Sequence, residues 1–132
     1  WSTDYIMLIV QGGEFSRDNG ERNTEYIKSQ ENWEELYPAV VWCDNKNALG
    51  LSSWYLPAPA ELANAALNIE AINATLVEKG CEPIAMGVND AYWSSEEFGV
   101  QGAYAISFAT GGFADYGHDK KAYNRVRAMR KF

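Results

Sequence analysis

Between residues 103 and 108, Tyr104, Ile106 and Phe108 alternate with Ala103, Ala105 and Ser107. Side chains on a β-strand point to opposite faces in turn, so this alternation dictates a strand with one large-residue face and one small-residue face. Tyr92-Trp93-Ser94-Ser95-Glu96 leads into it and an arginine-rich end, Tyr123 to Arg130, follows. Two strand-like borders therefore enclose a middle of Gly, Asp, Tyr, His, Lys and Phe. Rigid edges around a permissive polar and aromatic centre suit a displayed binding surface. They suit an enzyme less well, because catalysis needs a few side chains held in one geometry.

Everything before residue 81 reads differently. Tyr5–Val10 is apolar and of strand length, and is expected to be a buried strand. Gly12 and Gly13 open a polar loop that continues through Asp18-Asn19-Gly20, a turn signal. A short helix is expected after Asn23 or Thr24. Asn32 with Glu35 three residues on resembles a capping box, and Trp33, Leu36, Tyr37, Val40 and Val41 recur at helical spacing. Pro38 fits only near a first helical position, which splits this stretch into a turn and a helix. Pro59 opens the next helix with Glu61 in its first turn and Leu62, Ala66 and Leu67 as its buried stripe. Asn68 is expected to cap a further helix that turns Ile69, Ile72, Leu76 and Val77 inward and ends at Gly80. Helices followed by antiparallel strands make an α+β fold. The 132 residues contain no linker, repeat or low-complexity segment, and are read as a single domain, 1–132.

The net charge of −7 argues against nucleic acid as a partner, since phosphate backbones are repelled. The late basic residues, Lys120, Lys121, Arg125, Arg127, Arg130 and Lys131, are read as mostly structural, turned against the acidic body. No apolar run approaches the roughly 20 residues that span a bilayer, so direct membrane insertion is not expected. Trp1 opens the sequence in place of an initiator Met, as a mature or excised portion of a longer protein would. Cys43 and Cys81 lack the close Cys/His pairing of a zinc site. They are either one disulfide or two buried free thiols, and no base close in sequence activates either one.

Five short stretches taken in order resemble one family. They are Asp18 to Thr24 (DNGERNT), Tyr37 to Cys43 (YPAVVWC), Trp54 to Pro57 with Glu61-Leu62, Tyr92 to Glu96 (YWSSE), and Arg125 to Arg130 (RVRAMR). The chain is similar over about residues 18 to 132 to the Lcl C-terminal domain family, named for a collagen-like bacterial adhesin. That resemblance implies a C-type-lectin-like α+β fold with two main helices packed on a twisted antiparallel sheet. It also implies an exported or surface-attached bacterial protein, at the end of an adhesin or a pilus subunit. The same fold carries receptor-binding variable proteins diversified by retroelements, whose ligand residues lie in the C-terminal strands and loops.

Carried onto this chain, the ligand-binding surface lies between Glu96 and Asn124. The candidate contacts are Glu97, Phe98, Gln101, Phe113, Asp115, Tyr116, His118, Asp119, Lys120 and Asn124. Phe98, Phe113 and Tyr116 sit among glycines and charges where no core period is evident, and exposed aromatics anchor sugars and protein interfaces. Trp93, by contrast, belongs to the patterned strand and is read as core. The expected partner is a host or bacterial surface glycan or a protein receptor, with a role in a pilus or surface fibre as the alternative. No cofactor and no metal are expected. Glu82-Pro83-Ile84 has an apolar residue where a lectin calcium loop needs oxygen ligands. A cysteine pair late in the chain, as in related formylglycine-generating enzymes, is missing. Glu96 and Glu97 as adjacent strand residues face opposite ways and cannot flank one glycosidic bond. The chain is read as a binding protein and not an enzyme.

Overall fold

The computed structural model describes residues 1–8, 14–48, 50–110 and 116–131, with the main chain alone at 110 and 116. It is a small α+β structure with several helices and an open three-stranded antiparallel sheet. The helices are α1 (Gly20–Lys28), α2 (Trp33–Leu36), α3 (Pro38–Asp44), α4 (Pro59–Leu67) and α5 (Ile69–Glu78). The strands are β1 (Ala91–Phe98), β2 (Gly102–Ser107) and β3 (Tyr116–Asp119), hydrogen-bonded in the order β1-β2-β3. A short 3₁₀ turn, Phe108–Thr110, follows β2. The expectation of two main helices is thus revised to five among the described residues, with α1, α4 and α5 the longest.

Local chemistry explains where the helices begin. Asp18-Asn19-Gly20 is not a free turn but the start of α1: the Asn19 side chain accepts from the Arg22 amide, and α1 starts three residues earlier than Asn23. Gly20 is required there by close approach. A Cβ at that position would lie 2.5 Å from the Ala58 nitrogen and 2.6 Å from the Leu56 oxygen, both main chain. Pro38 and Pro59 occupy first helical positions as expected. Asn32 adopts a left-handed conformation and makes no side-chain cap, so the expected capping box is absent. Asn68 likewise does not cap α5; its Nδ2 donates back to the Asn64 carbonyl at 2.9 Å. Lys79 ends α5, followed by Gly80 at φ 69°, the left-handed residue expected beyond a helix end.

Glu61 draws three segments together. One carboxylate oxygen accepts from the amides of Ala58 (2.8 Å) and Gly20 (3.1 Å), and the other accepts from the Tyr55 hydroxyl at 3.0 Å. The starts of α1 and α4 are thereby held side by side.

The alternation in β2 sends its side chains into two separate cores. Ala91, Trp93, Ala103 and Ala105 face one cluster with Trp1, Leu8, Ile27, Tyr37, Val40 and Cys43. Tyr92, Ile106 and Phe108 face the other, closed by Leu62, Ala66 and Ile69 of α4 and α5. Trp93 is core, as its patterned position requires. Leu67 and Val77 are not: they are 69% and 62% exposed, because each is rotated well away from the buried stripe of its helix.

The chain ends are less regular than the sequence implied. Residues 5–8 form no strand, though Leu8 is buried; Ile9 and Val10 lie outside the described residues. The arginine-rich end is not a strand either. It touches β1 through a parallel bridge, Tyr92 to Arg125, and touches the 54–57 turn through an antiparallel bridge, Tyr55 to Met129. Cys43 is buried and Cys81 exposed, both as free thiols, so neither the disulfide nor a pair of buried thiols is found.

Glu97 and Lys120, both expected on the binding surface, are corrected to the interior. Their side chains are completely buried and paired with one another. The Glu97 carboxylate also accepts from the Leu8 amide at 2.9 Å, and the Lys120 ammonium donates to the Ile6 carbonyl at 2.7 Å. Replacing Lys120 with Met is expected to cost about 3–5 kcal/mol, because it strands a buried carboxylate. Urea denaturation of the variant checks this; a midpoint equal to that of the parent would show that the pair contributes nothing.

Candidate functional site

Strand alternation sorts the ligand-binding candidates into two sets. β1 contains an irregularity between Trp93 and Glu97, after which Glu97 pairs with Ala103 and Phe98 with Gly102. The slip preserves parity, so Glu97 faces the same core as Trp93. In β3, His118 pairs with Ala103 and Gly117 with Tyr104. His118 consequently shares the inner side, its ring edge-on to Trp93 with centroids 5.9 Å apart. It is half-buried, and its Nδ1 lies 3.1 Å from the Asn124 amide nitrogen. Lys120, two residues further, continues inward, and burial lowers its pKa below the ordinary lysine value despite Glu97 beside it.

Phe98 and Asp119 take the outer side. Phe98 is 56% exposed and stacks edge-on against Tyr104 at 5.1 Å. Arg17 covers the other part of this face, its guanidinium 4.7 Å from the Tyr104 ring centre and its Nε 3.1 Å from the Glu96 carboxylate. Gly117 leaves room for the Phe98 ring, which a Cβ there would meet at 2.4 Å. Asp119 accepts from the Lys121 amide at 2.8 Å and from the Tyr5 hydroxyl at 2.9 Å. Those bonds hold its carboxyl below the usual range, the amide being the larger cause. Gln101 lies exposed in the β1–β2 turn, where its carbonyl accepts from the Lys120 amide at 2.8 Å. Phe113 and Asp115 lie outside the described residues, and of Tyr116 only its place in β3 is described. Glu96 and Glu97 meet Arg17 and Lys120 respectively, on opposite sides of β1.

An open groove of about 700 Å³ lies beside Lys120 and Asn124. Pro38, Ala39 and Trp42 of α3 form one wall, and residues 120–126 form the other. Trp1 and Trp93 close the floor, where the Trp1 indole donates to the Ser94 carbonyl at 2.8 Å. Both floor indoles are buried, but Trp42 is 47% exposed and Tyr123 wholly so. Lys46 sits 4.9 Å from the Trp42 ring centre and 5.7 Å from that of Trp54, which steadies the Trp42 indole at the rim. Of the candidates named from sequence, Asn124 and Lys120 line this groove.

Trp42 and Tyr123 were missed as site residues. Trp42 lies about 200° around α3 from Val40, away from the stripe that carries Val40 and Cys43, and that angle is readable in the sequence. Tyr123 follows charged and small residues with no period at all. The groove itself has no sequence signal, because α3 and the 120–126 segment meet only through the fold.

Electrostatics across the groove wall are set by two pairs. Arg125 Nε lies 2.6 Å from Asp90 Oδ1, which raises the guanidinium and lowers the carboxyl. Lys121 Nζ lies 3.4 Å from Asp4 and 4.2 Å from the Tyr5 ring centre. Among the described residues no three His, Cys, Asp or Glu side chains gather as metal ligands. No described helix is long and apolar enough to cross a membrane. Burial pushes the Cys43 thiol up to about 12, the opposite of what a nucleophilic cysteine needs. No protein-family model, curated protein or solved structure matches the chain.

Two measurements follow from these environments. Iodoacetamide at pH 8 is expected to modify Cys81 in the folded protein and Cys43 only after denaturation, read by peptide mass; rapid native modification of Cys43 would contradict its burial. The depressed pKa of Asp90 means its pairing stabilises the fold above the unfolded carboxylate value, near 3.9, and is lost as pH falls through the folded value. The stability difference between the parent and Asp90→Asn is therefore expected in full at pH 7, shrinking progressively as pH falls below the unfolded carboxylate value. A difference that does not change with pH would rule this pairing out as its source.

Proposed function

We propose that this chain is a non-covalent recognition domain of C-type-lectin-like architecture, exported or displayed at a bacterial cell surface. It takes a glycan or a protein receptor in the groove between α3 and residues 120–126. The observation that carries this reading is the pairing of a packed indole floor with exposed Trp42 and Tyr123 at the rim. Aromatic side chains give large contact area at small entropic cost, and a rigid floor limits what is lost on binding. Support for the architecture comes from the five ordered stretches that resemble the Lcl C-terminal domain family. Several of them fall at structural joints: Asp18 to Thr24 at the start of α1, and Tyr37 to Cys43 on α3.

The exposed Phe98 and Asp119 on the outer sheet face are the residues we assign to sequence diversification. Recognition in place of catalysis fits the inert Cys43 thiol and the separation of Glu96 from Glu97 across β1.

The test is an array of glycans and extracellular proteins probed with the purified chain, with calcium and again with chelator. Binding is expected in both conditions. Trp42→Ala combined with Tyr123→Ala is expected to abolish it while changing folding stability by less than about 1 kcal/mol, as for surface sites generally. An array blank to the folded parent chain would refute the reading. So would binding that the double variant leaves intact, since the groove would then not be the site.

A further inference from the structure

We infer that the occupant of this groove is a short acidic peptide segment with apolar or aromatic side chains among its carboxylates. The inference rests on the groove being the recognition site and adds the chemistry of what it takes. Its first support is charge. The chain as a whole carries −7, yet the groove lining contains Lys121 and Arg125 and not one Asp or Glu. Both cations are substantially exposed. Their own acidic neighbours, Asp4 and Asp90, are not part of the lining. Asp90 engages Arg125 through Nε, which leaves the two terminal guanidinium nitrogens to form a forked pair with an incoming carboxylate. On a chain that is acidic overall, a lining that presents cations and holds no carboxylate of its own is where an anionic partner is repelled least.

The second support separates a peptide from a sugar. A sugar presents many hydroxyls, each of which needs both donors and acceptors around it, and carboxylates are the usual acceptors. This lining offers no carboxylate. Its two hydroxyls already spend their protons inside the protein: Ser2 Oγ donates to the Asp4 carbonyl at 2.7 Å, and Thr3 Oγ1 donates to the Glu35 carbonyl at 3.3 Å. Asn124 Nδ2 lies 3.1 Å from His118. What the groove does offer is aromatic surface and positive charge, the residue types that anchor peptide side chains at interfaces. Its volume of about 700 Å³ suits a few residues of chain and not a folded surface.

Selection of a random twelve-residue peptide display library on the immobilised parent chain tests this directly. Enriched sequences are expected to carry net negative charge and at least one aromatic residue. A synthetic peptide of the leading sequence is expected to bind roughly ten-fold more weakly to Lys121→Gln/Arg125→Gln, and more weakly in the parent as salt is raised. Lys121→Gln alone keeps the Asp90 pair and covers the case in which the double variant fails to fold; a several-fold loss is expected. Enrichment of basic or neutral peptides, no enrichment, or affinity unchanged in both variants overturns the assignment. A sugar array run beside it separates the two levels of the reading. Sugar binding lost in Trp42→Ala/Tyr123→Ala, with no acidic peptide selected, overturns the peptide while keeping the groove. Silence from both libraries and from the extracellular-protein array removes the groove as well.

Discussion

The buried Glu97–Lys120 pair is the interaction on which the rest of this structure depends. Desolvating two charges costs several kcal/mol each, and the cost is offset only when every polar atom is satisfied. Here it is: Leu8 and Ile6 supply the remaining donor and acceptor from the irregular N-terminal segment, and the ammonium lies 5.1 Å from the Trp1 ring centre. The pair ties the end of β1 to the residue just beyond β3, and both to a segment that has no strand ladder of its own. Main-chain bonds from Trp1 and Ser2 to the Lys120 carbonyl, each 3.1 Å, and from Thr3 to Leu36 at 2.8 Å complete the attachment.

That attachment builds the groove. With Trp1 drawn over Trp93 as a floor, α3 stands on one side and the 120–126 segment on the other. The segment is itself fixed at its far end, where the Trp93 amide donates to Arg125 at 2.9 Å and the Arg125 amide to Ala91 at 2.8 Å. A segment pinned at both ends by main-chain hydrogen bonds presents Tyr123 at the rim of the groove. Glu61 plays a comparable part among the helices, joining the starts of α1 and α4, whose buried residues Ile27 and Leu62 belong to different cores. One carboxylate thus ties the chain's first residues to the sheet, and the other ties two helices together.

Much of the helical region was legible in the sequence because its signals are local. Pro38 and Pro59 mark first turns through a fixed φ and a missing amide hydrogen, and Gly80 marks an end through its freedom at positive φ. The capping readings at Asn32 and Asn68 failed for a reason of the same scale. A side chain able to cap is not obliged to, and Asn68 found a nearer carbonyl in its own helix. Leu67 and Val77 were placed inward by hydrophobicity alone, although their angle on the helix pointed elsewhere.

For this protein, the sequence by itself determined the helix starts at Pro38 and Pro59, the strand alternation of 103–107, and the core position of Trp93. Only the tertiary structure decided which of the described residues between 97 and 124 face water. Strand alternation puts Glu97 and Phe98 on opposite faces, but which of those faces is buried is set by what packs against the sheet, and no local pattern announces that. The groove, likewise, belongs to no segment. It exists because a buried ion pair joins residues 23 positions apart and fastens the first eight residues across them, and long-range closure of that kind leaves no trace in sequence spacing.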